Sequence, residues 1–108
     1  MSAESFASDL IGELRERDRR AAALRVRGRG QTAVIGLEDE GEFVPLLRLT
    51  GASRKFNVMS LLVYHHGRWQ PTLKRGTPKE LAVPLTGELQ HLWTIPLQMA
   101  NLDFGQGD

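Results

Sequence analysis

A chain of 108 residues, 41% hydrophobic and 25% charged, is of single-domain length and ordinary globular composition, which excludes a disordered class. The absence of cysteine rules out disulfide frameworks, thiolate zinc sites and cysteine nucleophiles, and fits a reducing compartment. The net charge of +1 points to no partner, so the placement of charge along the chain carries what information there is.

The spacing predicts a helix from about Glu4 to Ala23. Phe6, Leu10 and Leu14 recur every four residues with Ile11 beside them, forming one apolar stripe, and Ser2 or Ser5 is placed to cap its start. Glu13 with Arg17 and Glu16 with Arg20 are acid-before-base pairs four apart, each worth ~0.3 kcal/mol. The stripe thins after Leu14, and the polar "RERDRR" is expected to face solvent or a partner. In "ALRVRGRGQTAVIGL" the period changes to two, with Leu24 and Val26 alternating with Arg25 and Arg27. Gly28 and Gly30 suggest a bulge or bend before this strand resumes at Thr32 to Leu37. The acidic "EDEGE" reads as a turn, with Gly41 free to take positive φ, and Phe43 to Thr50 as the second arm of a hairpin. Pro45 has no N–H to give a ladder, so that arm is expected to be an edge or to carry a bulge.

Phe56 to His65 is apolar on both faces, Phe56, Val58, Leu62 and Tyr64 on one and Met59, Leu61 and Val63 on the other. This is the pattern of a strand inside a sheet or at an interface. His66-Gly67 turns the chain into Arg68 to Lys74, where Trp69, Pro71 and Leu73 alternate with Arg68, Gln70, Thr72 and Lys74. The alternation predicts that Trp69 points into the core. Thr77-Pro78-Lys79-Glu80 combines a threonine cap, proline at the first helical position and glutamate three beyond the cap, a capping box. Pro84 and Gly87 keep that helix short; Glu88 to Trp93 suggests another turn or two of helix, and Thr94 to Met99 a last strand or extended arm. The expected fold is α+β: an N-terminal helix, a four- to five-stranded antiparallel sheet and one or two short C-terminal helices. Residues 1–100 are expected to form a single domain and 101–108 a flexible tail. The first 25 residues lack the apolar core of a signal peptide, and no run approaches the roughly 18 apolar residues of a membrane span. A cytoplasmic protein without membrane attachment is expected.

The charges are segregated. Arg15, Arg17, Arg19, Arg20, Arg25, Arg27 and Arg29 face only Glu16 and Asp18; "EDEGE" is purely acidic; and between Glu42 and Glu80 there is no acid at all. Single-stranded nucleic acid is bound by a basic groove that follows phosphates and by flat side chains on which bases stack. Tyr64, Trp69 and Phe56 supply rings. Arg54, Lys55, Arg68, Lys74 and Arg75 supply charge, and Arg68, Gln70, Thr72 and Lys74 are expected to share the open face of a hairpin strand. Arg25, Arg27 and Arg29 extend that strip if their strand joins the same sheet. The expected partner is single-stranded DNA or RNA; the alternative is an acidic protein for which this chain is an interaction or regulatory subunit. A sheet with one helical layer leaves a second face open, so a homodimer is also expected.

Little points to catalysis. His65 and His66 are adjacent on a strand end and point apart, a poor chelating pair, and His91 would need to join them together with an acid such as Asp39 or Glu40. Ser60 has no partner signal, and "RVRGRGQT" lacks the lysine of a Walker loop and the third glycine of a dinucleotide fingerprint. No enzyme activity, catalytic residue, metal or cofactor is expected.

Overall fold

The computed structural model describes residues 2–53 and 57–105, with side chains from 2–51 and 57–99. Its order is α1 (Ala3–Arg17), a 3₁₀ turn (Arg19–Ala23), five strands and two helices. The strands are β1 (Arg25–Arg29), β2 (Thr32–Asp39), β3 (Glu42–Ser53), β4 (Val58–His65) and β5 (Arg68–Gly76), and the helices are α2 (Pro78–Leu85) and α3 (His91–Gly105). The strands form one open antiparallel sheet in sequence order. The fold is α+β, as expected, and none of the described helices is long and apolar enough to cross a membrane.

Ser2 caps α1, its hydroxyl accepting from the Ser5 N–H, and Phe6, Leu10, Ile11 and Leu14 are buried with Ala3 and Ala7. Each large side chain so buried contributes about 1.5–3 kcal/mol. The helix does not run to Ala23. Asp18 leaves the helical region (φ −149°, ψ 118°), and its carboxylate accepts from the Arg20 N–H to cap the next, tighter turn. Glu16 and Arg20 are therefore not paired; Arg20 binds Asp18 instead, at 2.7 Å, while Glu13 and Arg17 pair as the spacing predicts, at 2.9 Å.

The expected bent strand is two strands. Gly30 at φ 61° reverses the chain, and Arg25 to Arg29 then pair back on Gly36 to Thr32. Glu40-Gly41 and His66-Gly67 close the next hairpins with positive φ at both turn residues, the arrangement whose twist matches the strands. Pro45 sits in the middle strand and not at an edge; the register shifts beside it, between Ile35 and Gly36, so the bulge absorbs the missing donor.

One sheet face carries Ala33, Ile35, Leu37, Leu47, Leu49, Met59 and Leu61, all buried, together with Leu81 and Leu85 of α2 and Trp93 and Leu97 of α3. Thr77 and Glu80 form the capping box of α2, with Pro78 at its start and Pro84 in its last turn. Thr94 to Met99 is helical, not extended. The β-branched pair and Pro96 disfavour helix locally, but Trp93 and Leu97, four apart, both reach the core, and the Thr94 hydroxyl bonds back to the Gln90 carbonyl. Packing overrides propensity there.

Candidate nucleic-acid interface

Residues directly opposed across antiparallel strands share a face, so the register assigns every strand side chain to the helix layer or to the uncovered side. One row crosses the whole sheet on the uncovered side: Arg27, Val34, Arg48, Leu62 and Pro71. Arg29 and Thr32 lie to one side of that row on β1 and β2, and Thr50, Ser60 and Arg75 on β3, β4 and β5. On its other side are Arg25, Gly36 and Pro45, with Tyr64 opposite Trp69. No described helix lies over this surface.

Its aromatic rings are held in contact with guanidinium groups. Arg27 stands 4.4 Å over the Phe43 ring and Arg48 stands 5.9 Å over Trp69, arrangements worth about 0.5–2 kcal/mol depending on desolvation. Tyr64 and Trp69 meet edge to face at 5.0 Å. Gly36 makes room for this: a Cβ there would meet the Val44 carbonyl and come within 2.9 Å of Phe43 Cζ, so only glycine lets that ring lie across the strand. Glu38, opposite Phe43, brings one carboxylate to the end of the surface.

Trp69 is therefore not a core residue. Alternation correctly separates Trp69 and Pro71 from Arg68 and Gln70, but the helices cover the other side. Arg68 and Gln70 oppose His65 and Val63 on the helix-layer side, exposed at the end of the sheet. The expected strip of Arg68, Gln70, Thr72 and Lys74 is also broken. Between Ser60 and Leu62 the β4–β5 register shifts, the Thr72 hydroxyl donates to the Leu61 carbonyl at 2.8 Å, and Lys74 pairs with Glu88 at 2.7 Å. Beyond the bulge, Arg75 returns to the uncovered side opposite Ser60. Arg25, Arg27 and Arg29 do join the same surface, although the Arg25 guanidinium also donates to the Ala22 and Leu24 carbonyls. Arg54 and Lys55 lie outside the described residues.

Arg48, Phe43 and Gly36 were not singled out as site residues from the sequence. The signal was present for Arg48, which alternates with Leu47 and Leu49 in a strand and so had to face away from them. At the bulge itself, Leu73 is held at φ 66° and is 94% exposed. The other described non-glycine residues at positive φ, Glu40, Asn57 and His66, all sit in turns. A left-handed conformation costs a leucine about 1–2 kcal/mol, and no burial of its side chain offsets that.

His65 and His66 do not point apart as strand alternation predicts: His66 lies in the turn at φ 50°, and the two exposed rings meet at 4.0 Å between centroids. Among the described residues no three histidine or carboxylate side chains converge as a metal site. No protein family matches the chain, and no curated protein or solved structure is detectably similar to it.

Proposed function

We propose that the protein binds single-stranded nucleic acid on the uncovered sheet face, in the cytoplasm and without catalysis. The observation that carries this reading is the pairing of guanidinium groups with aromatic rings, Arg27 on Phe43 and Arg48 on Trp69, on a face where Glu38 at the margin is the single acid among the described strand residues. Cations on such a face neutralise phosphates, while Tyr64 and Trp69 offer π surfaces that any base can use. The flat array suits an unpaired strand whose bases can splay onto it. An acidic protein would satisfy the arginines but would make no particular use of the rings.

A second copy is a poor occupant of this face, because two-fold pairing would set arginine against arginine. The expectation of a homodimer therefore moves to α3, where Ile95 and Met99 lie four apart and are 51% and 63% exposed.

Fluorescence anisotropy of a labelled single-stranded octamer at 50 and 200 mM salt tests the proposal. If Arg27, Arg29, Arg48 and Arg75 each meet one phosphate, the logarithmic salt slope is about −3, a roughly 50-fold loss of affinity over that range. Absence of binding at 50 mM salt, where electrostatic attraction is strongest, would sink the reading.

A further inference from the structure

We infer that the hollow beside the β5 bulge seats one unstacked nucleobase, with Leu73 as its apolar lip. The inference rests on the interface reading above and assigns a site within it. The hollow has a volume of about 370 Å³ and is bounded by Thr50, Ser60, Leu62, Pro71, Leu73 and Arg75. Leu62 and Pro71 give it an apolar floor, and Thr50, Ser60 and Arg75 are polar residues among its lining. That is the division of chemistry in a nucleotide: an apolar base face, a polar base edge and an anionic phosphate.

The bulge supports a ligand-facing role for Leu73. Glycine or asparagine would occupy φ 66° more readily, yet the position holds a large apolar side chain that packs against almost nothing and is 94% exposed. Bonds on either side accompany this geometry. The Thr72 hydroxyl accepts from the Lys74 N–H while donating to the Leu61 carbonyl, and the Lys74 ion pair with Glu88 holds the far side of the bulge. Strain maintained by its surroundings, with an apolar group projecting beside an apolar hollow, is the arrangement expected where a ligand completes the packing. A base edge also distinguishes this hollow from a plain phosphate site, and that difference can be measured.

The test compares Leu73→Gly and Leu73→Asn, both suited to the left-handed backbone, with the unaltered protein. The probes are a thymidine octamer and an abasic octamer with the same phosphates. Loss of one base seat is expected to weaken binding of the thymidine octamer roughly tenfold, leaving the abasic octamer, the salt slope and the thermal midpoint unchanged or the midpoint raised. Equal weakening on both octamers, or none on either, overturns the base seat while leaving the interface standing. No binding of either octamer by the unaltered protein at 50 mM salt overturns both.

Discussion

Two groups of arginines in this chain sit in opposite settings. In the segment from Arg15 to Arg20, Arg15 donates to the Ala21 and Leu24 carbonyls, Arg17 pairs with Glu13, and Arg20 grips both oxygens of Asp18. On the uncovered sheet face, Arg27 and Arg48 lie on rings instead of carboxylates. Arginines of the first kind close local structure, ending one helix and fastening the next turn. Those of the second kind are held on rings, with no ion pair to their charge among the described residues. Counting arginines along the chain does not separate the two groups; their neighbours do.

Asp18 is the centre of the first group. Arg20 donates to it from its guanidinium and its backbone N–H, and Gln90 donates at 3.0 Å from the segment leading into α3. The Arg20 guanidinium is the main cause that holds the carboxyl down at about 2 against its usual 3.8. Arg20 also stands 5.8 Å over Trp93, which is fully buried and donates from Nε1 to the Leu85 carbonyl at 2.7 Å. These contacts tie the N-terminal turn to the C-terminal helices.

Changes that break the first group should cost stability and spare binding, and changes in the second should do the reverse. Trp93→Ala has the largest expected effect, a loss of about 3–5 kcal/mol in chemical denaturation, because it opens a cavity and frees the Leu85 carbonyl. Asp18→Ala follows at about 2 kcal/mol, since it removes a cap, an ion pair and the Gln90 bond together. The depressed carboxyl makes this contribution pH-dependent. It is fully present above the unfolded value of about 4 and is lost as pH falls toward the folded value of about 2. Denaturation followed from pH 5 to 2 should therefore show a loss in the unaltered protein that is smaller in Asp18→Asn. Arg48→Gln should weaken oligonucleotide binding roughly tenfold while costing no more than about 1 kcal/mol of stability from the lost contact with Trp69, read by anisotropy and thermal melting on the same sample. Arg17→Gln, which removes the same charge from the first group, should change stability by no more than about 0.5 kcal/mol and leave oligonucleotide affinity as it was.

Much of the frame was legible in the sequence because it follows from periodicity and capping. The Phe6, Leu10 and Leu14 stripe, the Thr77 to Glu80 box, the two hairpin turns at Gly41 and Gly67 and the two-sided β4 strand are local patterns. The site was less legible, for a definite reason. Alternation tells which strand residues share a face but not which face the helices cover, so the pattern around Trp69 predicts a core position where the structure has the uncovered side. The β5 bulge depends on a hydroxyl reaching across to the next strand and on an ion pair with Glu88, neither of which has a period. The break at Asp18 likewise depends on a side chain competing with the helix for one N–H, against an apolar stripe that had already faded.

The most direct test is the tryptophan emission of the unaltered protein titrated with a thymidine octamer at 50 mM salt. Trp93 is buried under the helices, whereas Trp69 lies on the proposed interface beside Tyr64 and Arg48. Stacking of bases on that face predicts saturable quenching that Trp69→Phe abolishes and added salt reverses. Binding detected by anisotropy with no change in Trp69 emission would place the nucleic acid elsewhere on the molecule and contradict the account.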